Sequence, residues 1–181
     1  MRLPHNALRC TPRHSAAADA CPDQIGLYGK DAPLAVSNFK GLVTCSRPGP
    51  EYCYKASEFM RIIEGFIVQG GWLKADGVTY MRGFEGDAFN DDPGGLALKH
   101  SGPGVVQMGN RGPNTNGASF VFMAGAAPHL DGKHVVFGVV TKGLEHIMAI
   151  SRLPTQSERP YEGKRVVVAA CGMMGSGSRE L

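Results

Sequence analysis

VVQMGNRGPNTNGASFVFMAGAAPHLDGKHVVFGVV, residues 105–140, is the stretch from which the fold is read. It holds three short apolar runs, Val105 to Met108, Ser119 to Met123 and His134 to Val140. Each is too short for an ordinary helix and rich in valine and phenylalanine, which suit a pleated surface. The dividers GNRGPNTNG and AAPHLDGK carry the Gly, Pro, Asn and Asp that supply turn geometry. Successive short strands joined by turns are therefore expected.

The same grammar extends outward. On the N-terminal side, IGLYG (25–29) reads as a strand, and Pro33 opens a segment in which Val36, Phe39, Lys40 and Val43 fall at helical spacing. SRPGPEYCY (46–54) is a loop. Residues 57–68 are strand-like with an interruption at Glu64-Gly65, GGWLKADG (70–77) reads as a turn, and GFEGDAFNDDPGG (83–95) as a long surface excursion. On the C-terminal side, GLEHIMAIS (143–151) has helical spacing and KRVVVAAC (164–171) reads as a closing strand. The sum is a mainly β, mostly antiparallel domain with two helices. With so little helix to cover a sheet, a closed barrel is the economical arrangement, because closure leaves no unpaired edge.

Bulk properties bound the function. The 181 residues, 43% hydrophobic, suffice for one core and one domain. The 25 glycines and 12 prolines show no repeat period and fit a chain that turns often. A net charge of +3 with the lysines and arginines scattered gives no footprint for nucleic acid. No apolar run approaches the roughly eighteen residues of a spanning helix, so no membrane insertion is expected. The five cysteines, Cys10, Cys21, Cys45, Cys53 and Cys171, have wide spacings and no CxxC. At most one disulfide is expected, with no metal and no cofactor. The first eighteen residues contain Arg2, Arg9 and Arg13 and no acid, in the manner of a short targeting segment, and the end from Gly172 reads as a flexible tail.

RIIEGFIVQGG (61–71) poses the chemical question. An arginine heads an apolar run, and a guanidinium either faces water or meets an acceptor. The segments FMRIIEGFIVQGG (59–71), LKHSGPGVVQMGNRGPNTNGASFVF (98–122), HLDGKHVVFGVV (129–140) and VVVAACG (166–172), together with IGLYGKDAPLAVSNFKGL (25–42), resemble the cyclophilins, the peptidyl-prolyl cis-trans isomerases. The resemblance implies an eight-stranded antiparallel barrel capped by two helices over residues 25–172. Residues 1–24 would form a divergent or targeting-like N-terminal tail, and 173–181 a flexible C-terminal one. The first strand of such a barrel is not readable in ALRCTPRHSAAADACPD (7–23).

The resemblance also implies a site. Arg61 would donate to the prolyl nitrogen of a twisted Xaa-Pro bond, and Gln69 would orient it. Phe66, Ile67 and Leu130 would wall the proline pocket, His134 would close its side, and Gly109 and Asn110 would meet substrate backbone. Three positions depart from the family pattern: Ser119 stands for a glutamine, Val121 for a phenylalanine and His129 for a tryptophan. A wider, more polar pocket, weakened turnover and weak cyclosporin binding are expected. Arg111 adds a cation where the family has a small residue, and Met60 replaces a histidine. The Pro-Asn-Thr-Asn-Gly run itself is read as a turn builder. Proline-containing polypeptides are the expected partners of a monomer or of a subunit in a larger complex. Two functions follow: an active isomerase that assists protein folding, or a catalytically weak module that binds proline-containing segments or serves as a structural subunit of a complex. The resemblance in IGLYGKDAPLAVSNFKGL and ERPYEGKRVVVAACG is to plastid and thylakoid-lumen cyclophilins, with the cytoplasm as the alternative compartment.

Overall fold

The computed structural model describes residues 7–12, 23–75, 78–80, 82–86, 88–161 and 165–174. The strands in chain order are β1 (Ala7–Pro12), β2 (Asp23–Leu27), β3 (Arg61–Ile63), β4 (Ile67–Gly70), β5 (Leu73–Ala75), β6 (Val78–Tyr80), β7 (Val105–Met108), β8 (Phe120–Met123), β9 (Val136–Lys142), β10 (Thr155–Gln156), β11 (Arg159–Pro160) and β12 (Val168–Met173). The helices are α1 (Pro33–Thr44), α2 (Pro93–Ala97) and α3 (Leu144–Ser151). Eight strands form one sheet in the order β12-β1-β2-β9-β7-β8-β4-β3, and every pair is antiparallel. Two small hairpins, β5-β6 and β10-β11, stand beside it.

The runs that opened the sequence reading become β7, β8 and β9, with β9 shifted towards Lys142. Three expectations change. The stretch that held no readable first strand carries β1, whose backbone pairs with β2 on one side and β12 on the other. Its apolar spacing is poor because pairing along both edges, rather than a local pattern, defines it. GGWLKADG is half of a hairpin, Leu73 to Ala75 lying opposite Val78 to Tyr80. The 83–95 excursion ends in a third, short helix, α2, opened by Pro93. The targeting-like reading of Met1 to Asn6 and of 13–22, and the tail beyond residue 174, lie outside the described residues.

One face of the sheet and the helices enclose the main core. Phe39, Tyr54, Phe120 and Phe137 are each 1% exposed or less and meet with ring centroids 4.9–5.3 Å apart. Helix α1 fits this core because Ala35, Val36, Phe39, Leu42 and Val43 share one face. Its first turn is capped from a distance: the Leu34 and Ala35 N–H groups donate to the Asp92 carboxylate at 3.2 and 2.9 Å. Its last turn runs into Cys45, which is joined to Cys53 by a disulfide.

The two ends of the sheet order, β3 and β12, do not pair as strands. The segment just before β3 nevertheless reaches β12. The N–H of Phe59 donates to the Val166 carbonyl at 2.9 Å, Ala56 N–H to Val168 at 2.7 Å, and Val168 N–H to Ser57 at 2.9 Å.

Candidate functional site

Strand alternation and register assemble the site on the face of the sheet away from the main core. In β3, Ile62 is buried while Arg61 and Ile63 turn to the other face. Arg61 lies opposite Gln69, Gln69 opposite Val121, and Val121 opposite Gln107. Directly opposed residues share a face, so these four form one row across β3, β4, β8 and β7. The parallel row of Ile63, Ile67 and Met123 lies beside it. The sequence Gln-Gly-Gly ends β4 because Gly71 takes φ +81° and a Cβ there would stand 2.1 Å from the Ala118 carbonyl oxygen.

The candidate residues fall into two groups. Phe66, Ile67, Val121 and Leu130 belong to one small apolar cluster with Met123 and Val136. Ile67 and Val121 are 4% and 3% exposed, so both lie in the base of this cluster rather than along its rim. The ring of exposed His129 rests 5.5 Å from that of Phe66. His134 is half-buried, and its Nδ1 stands 3.2 Å from the Met108 carbonyl oxygen. A carbonyl only accepts, so Nδ1 carries the proton. Burial pushes the His134 pKa below the usual histidine value, and the ring is a neutral wall at neutral pH.

The second group is polar. Arg61, Gln69, Gly109, Asn110 and Ser119 line a cavity of about 560 Å³ next to the apolar cluster. Gln69 Nε2 donates to Ser119 Oγ at 2.9 Å, and that hydroxyl reaches the Gly70 carbonyl at 3.3 Å. Gly109 leaves room for this pair, because a Cβ there would stand 2.5 Å from Ser119 Oγ. Asn110 spends its side chain on the neighbouring loop between β8 and β9, donating to the Lys133 carbonyl at 3.0 Å. The Pro-Asn-Thr-Asn-Gly turn is anchored by Asp91, which accepts from the Asn114 N–H at 2.9 Å and from Asn116 Nδ2 at 2.7 Å.

Gln69 does not hold Arg61: its amide is turned to Ser119, and the arginine is held from the other side. Arg61 Nε donates to Glu158 Oε2 at 2.6 Å, and the Ile62 N–H donates to the Glu158 carbonyl at 2.7 Å. The arginine holds the Glu158 carboxyl below its ordinary pKa. Glu158 lies in the turn between β10 and β11, where Ser157 and Glu158 take φ of +50° and +65°. Neither is a glycine, so the turn carries strain that its contacts with β3 sustain. No local pattern points to Glu158, which sits 97 positions from its partner.

The opposite end of the row is held by a second device missed in the sequence. His100, 1% exposed, sets Nδ1 2.9 Å from Asp131 Oδ1 and Nε2 against Gln107 Oε1. The same Asp131 oxygen accepts from the His100 N–H at 2.9 Å. These bonds lower the Asp131 pKa from 3.8 to about 2. The loop thereby fixed carries His129, Leu130 and His134. Among the described residues, no group of three or more His, Cys, Asp or Glu side chains could hold a metal ion.

Residues 23–173 match the family described as cyclophilin type peptidyl-prolyl cis-trans isomerase/CLD. The match spans the sheet from β2 to β12, both groups of site residues and the two devices that hold them. The chain belongs to the cyclophilin-type peptidyl-prolyl cis-trans isomerase family.

Proposed function

We propose that the protein accelerates rotation about Xaa-Pro bonds in polypeptides, with Arg61 as the transition-state donor. The barrier to be lowered is about 18–20 kcal/mol and arises from amide resonance. Twisting the bond removes that resonance and leaves the prolyl nitrogen pyramidal and basic. A donor placed for that state lowers the barrier without acid, base or metal. The observation that carries the reading is the position of Arg61, beside the Phe66–Leu130 cluster with its guanidinium fixed through Nε. The Nη groups are then available to the prolyl nitrogen. Phe66, Leu130 and His134 contact the proline ring in this reading, with Ile67 and Val121 beneath. Gly109 and Asn110 offer main-chain groups to substrate, while Gln69 and Ser119 form the wall between pocket and cavity.

We also infer that the sheet closes into a barrel and that residues 25–172 with β1 make one domain. The hydrogen bonds of Ala56 to Phe59 with Val166 and Val168 support the closure.

Exchange NMR on an Ala-Pro-Phe peptide tests the assignment. Wild type broadens the cis and trans lines, and Arg61→Ala lowers the exchange rate by about a hundredfold. Equal exchange with both proteins would remove Arg61 from the mechanism. The burial of Ile67 and Val121, which leaves little of either side chain for a bound ring to touch, favours a second reading, a proline-binding module with little turnover. Peptide shifts without accelerated exchange would select it. Cyclosporin is expected to bind weakly, since His129 offers a smaller face than the family tryptophan and already rests against Phe66. A submicromolar dissociation constant in a direct titration would contradict this.

A further inference from the structure

Outside the Cys45–Cys53 bond the sequence has three more cysteines, Cys10, Cys21 and Cys171. Two of these are neighbours across strands. β1 and β12 run antiparallel, and their register sets Cys10 directly opposite Cys171. One residue lies in the first strand and the other in the last, so the juxtaposition is tertiary and no sequence spacing announces it. The family match begins at residue 23, so Cys10 stands before it, on the strand that the sequence left unread.

Backbone geometry makes the pair bondable. Directly opposed residues of antiparallel strands share a face, with Cα atoms about 4.5 or 5.5 Å apart according to the hydrogen-bonding position. A disulfide spans Cα separations of about 4.4–6.8 Å, so either position suits it without moving the strands. The register is continuous from Leu8 to Thr11, and its one irregularity, between Thr11 and Pro12, falls beyond the cysteines. In this structure Cys171 is a free thiol, half-buried against the main core. Burial pushes its pKa up, so it holds little thiolate at neutral pH and reacts slowly.

We propose that Cys10 and Cys171 are an oxidisable pair whose disulfide staples the first strand of the sheet to the last. The oxidant is a small-molecule or protein disulfide, the class of reagent by which bonds such as Cys45–Cys53 form. One thiolate attacks that disulfide and is joined to half of it, and the other thiolate then displaces this half. The oxidant's S–S bond breaks, the Cys10–Cys171 bond forms, and the two electrons and two protons leave on the oxidant as two thiols. The bond encloses nearly the whole chain, and a long enclosed loop is where a cross-link restricts the unfolded state most. None of the candidate site residues lies on β1 or β12, so the staple acts on stability.

The test uses the full chain with Cys45–Cys53 joined. It is incubated with excess oxidised glutathione, remaining thiols are alkylated, and an unreduced digest is read by mass spectrometry. A linked peptide pair holding Cys10 and Cys171, lighter by two hydrogens than its separate parts, is expected. The melting temperature of wild type is expected to rise by about 5–10 °C on oxidation, and that of Cys10→Ser or Cys171→Ser to stay where it was. Each protein is compared with itself before oxidation, so any cost of the serine drops out. Cys171 found joined to Cys21, joined to glutathione, or still free after prolonged oxidation would overturn the pairing. A linked peptide without a rise in melting temperature would overturn the staple.

Discussion

The row Arg61-Gln69-Val121-Gln107 is gripped at its two ends by two hydrogen-bonded side-chain pairs of opposite character. At the β3 end, Arg61 and Glu158 have side chains 43% and 50% exposed. At the β7 end, the His100 side chain is fully buried and Asp131 is 21% exposed. An exposed pair contributes little to stability because water and salt compete with it. A buried one specifies geometry, because breaking it strands polar groups away from water. The contrast assigns them different work. The His100 end is foundation for the loop that carries Leu130, while the Glu158 end aims one exposed cation.

The sharpest way to break that contrast is to remove each anchor. His100→Ala leaves a cavity and unpartnered polar atoms, and is expected to cost about 3 kcal/mol of stability. The readout is thermal or denaturant unfolding. An unchanged melting temperature would mean that the buried end is no foundation. Glu158→Gln is expected to leave the melting temperature nearly unchanged while lowering kcat about fivefold with KM little altered. Equal loss in kcat and stability would erase the distinction between the two ends.

Acid sharpens the comparison. The Asp131 pKa lies below its unfolded value, so its contribution is fully present above about pH 4 and is lost as pH falls towards 2. Melting curves of wild type are therefore expected to drop steeply from pH 4 to pH 2, and those of Asp131→Asn to be flatter there. Parallel curves would show that Asp131 is not the acid-sensitive point. The smallest effect is expected from ionic strength. At neutral pH, half-molar salt should change the melting temperature by only a degree or so while reducing kcat, because the exposed pair is screened and the buried one is not.

How far the sequence could be read follows from the same physics. The strands β7, β8 and β9 were legible because each is a short apolar run between turn residues. Helix α1 was legible because Val36, Phe39 and Val43 repeat at its own period. Arg61 was found because a charge in an apolar run calls for an explanation. Its partner was not, because Glu158 sits in Gln-Ser-Glu-Arg, a turn without glycine whose positive φ angles no local propensity foretells. His100 escaped for a related reason: a histidine followed by Ser-Gly-Pro-Gly looks like loop, and its burial comes from Gln107 and Asp131 closing over it. Strand β1 was missed because ALRCTP has little alternation, and its neighbours lie far away in sequence at both edges.

That double pairing of β1 sets a timetable for synthesis. Leu8 lies opposite Ile25 in β2 and opposite Met173 in β12. Emerging from a ribosome, β1 can join β2 almost at once, but its second edge must wait for the final strand. At roughly 5–20 residues per second, that wait is on the order of ten seconds or more. Throughout it the nascent chain displays an open strand edge, the feature most prone to pair with the wrong neighbour. Chaperone demand should therefore peak just before Val168–Met173 is made, and fall once the last strand is laid in.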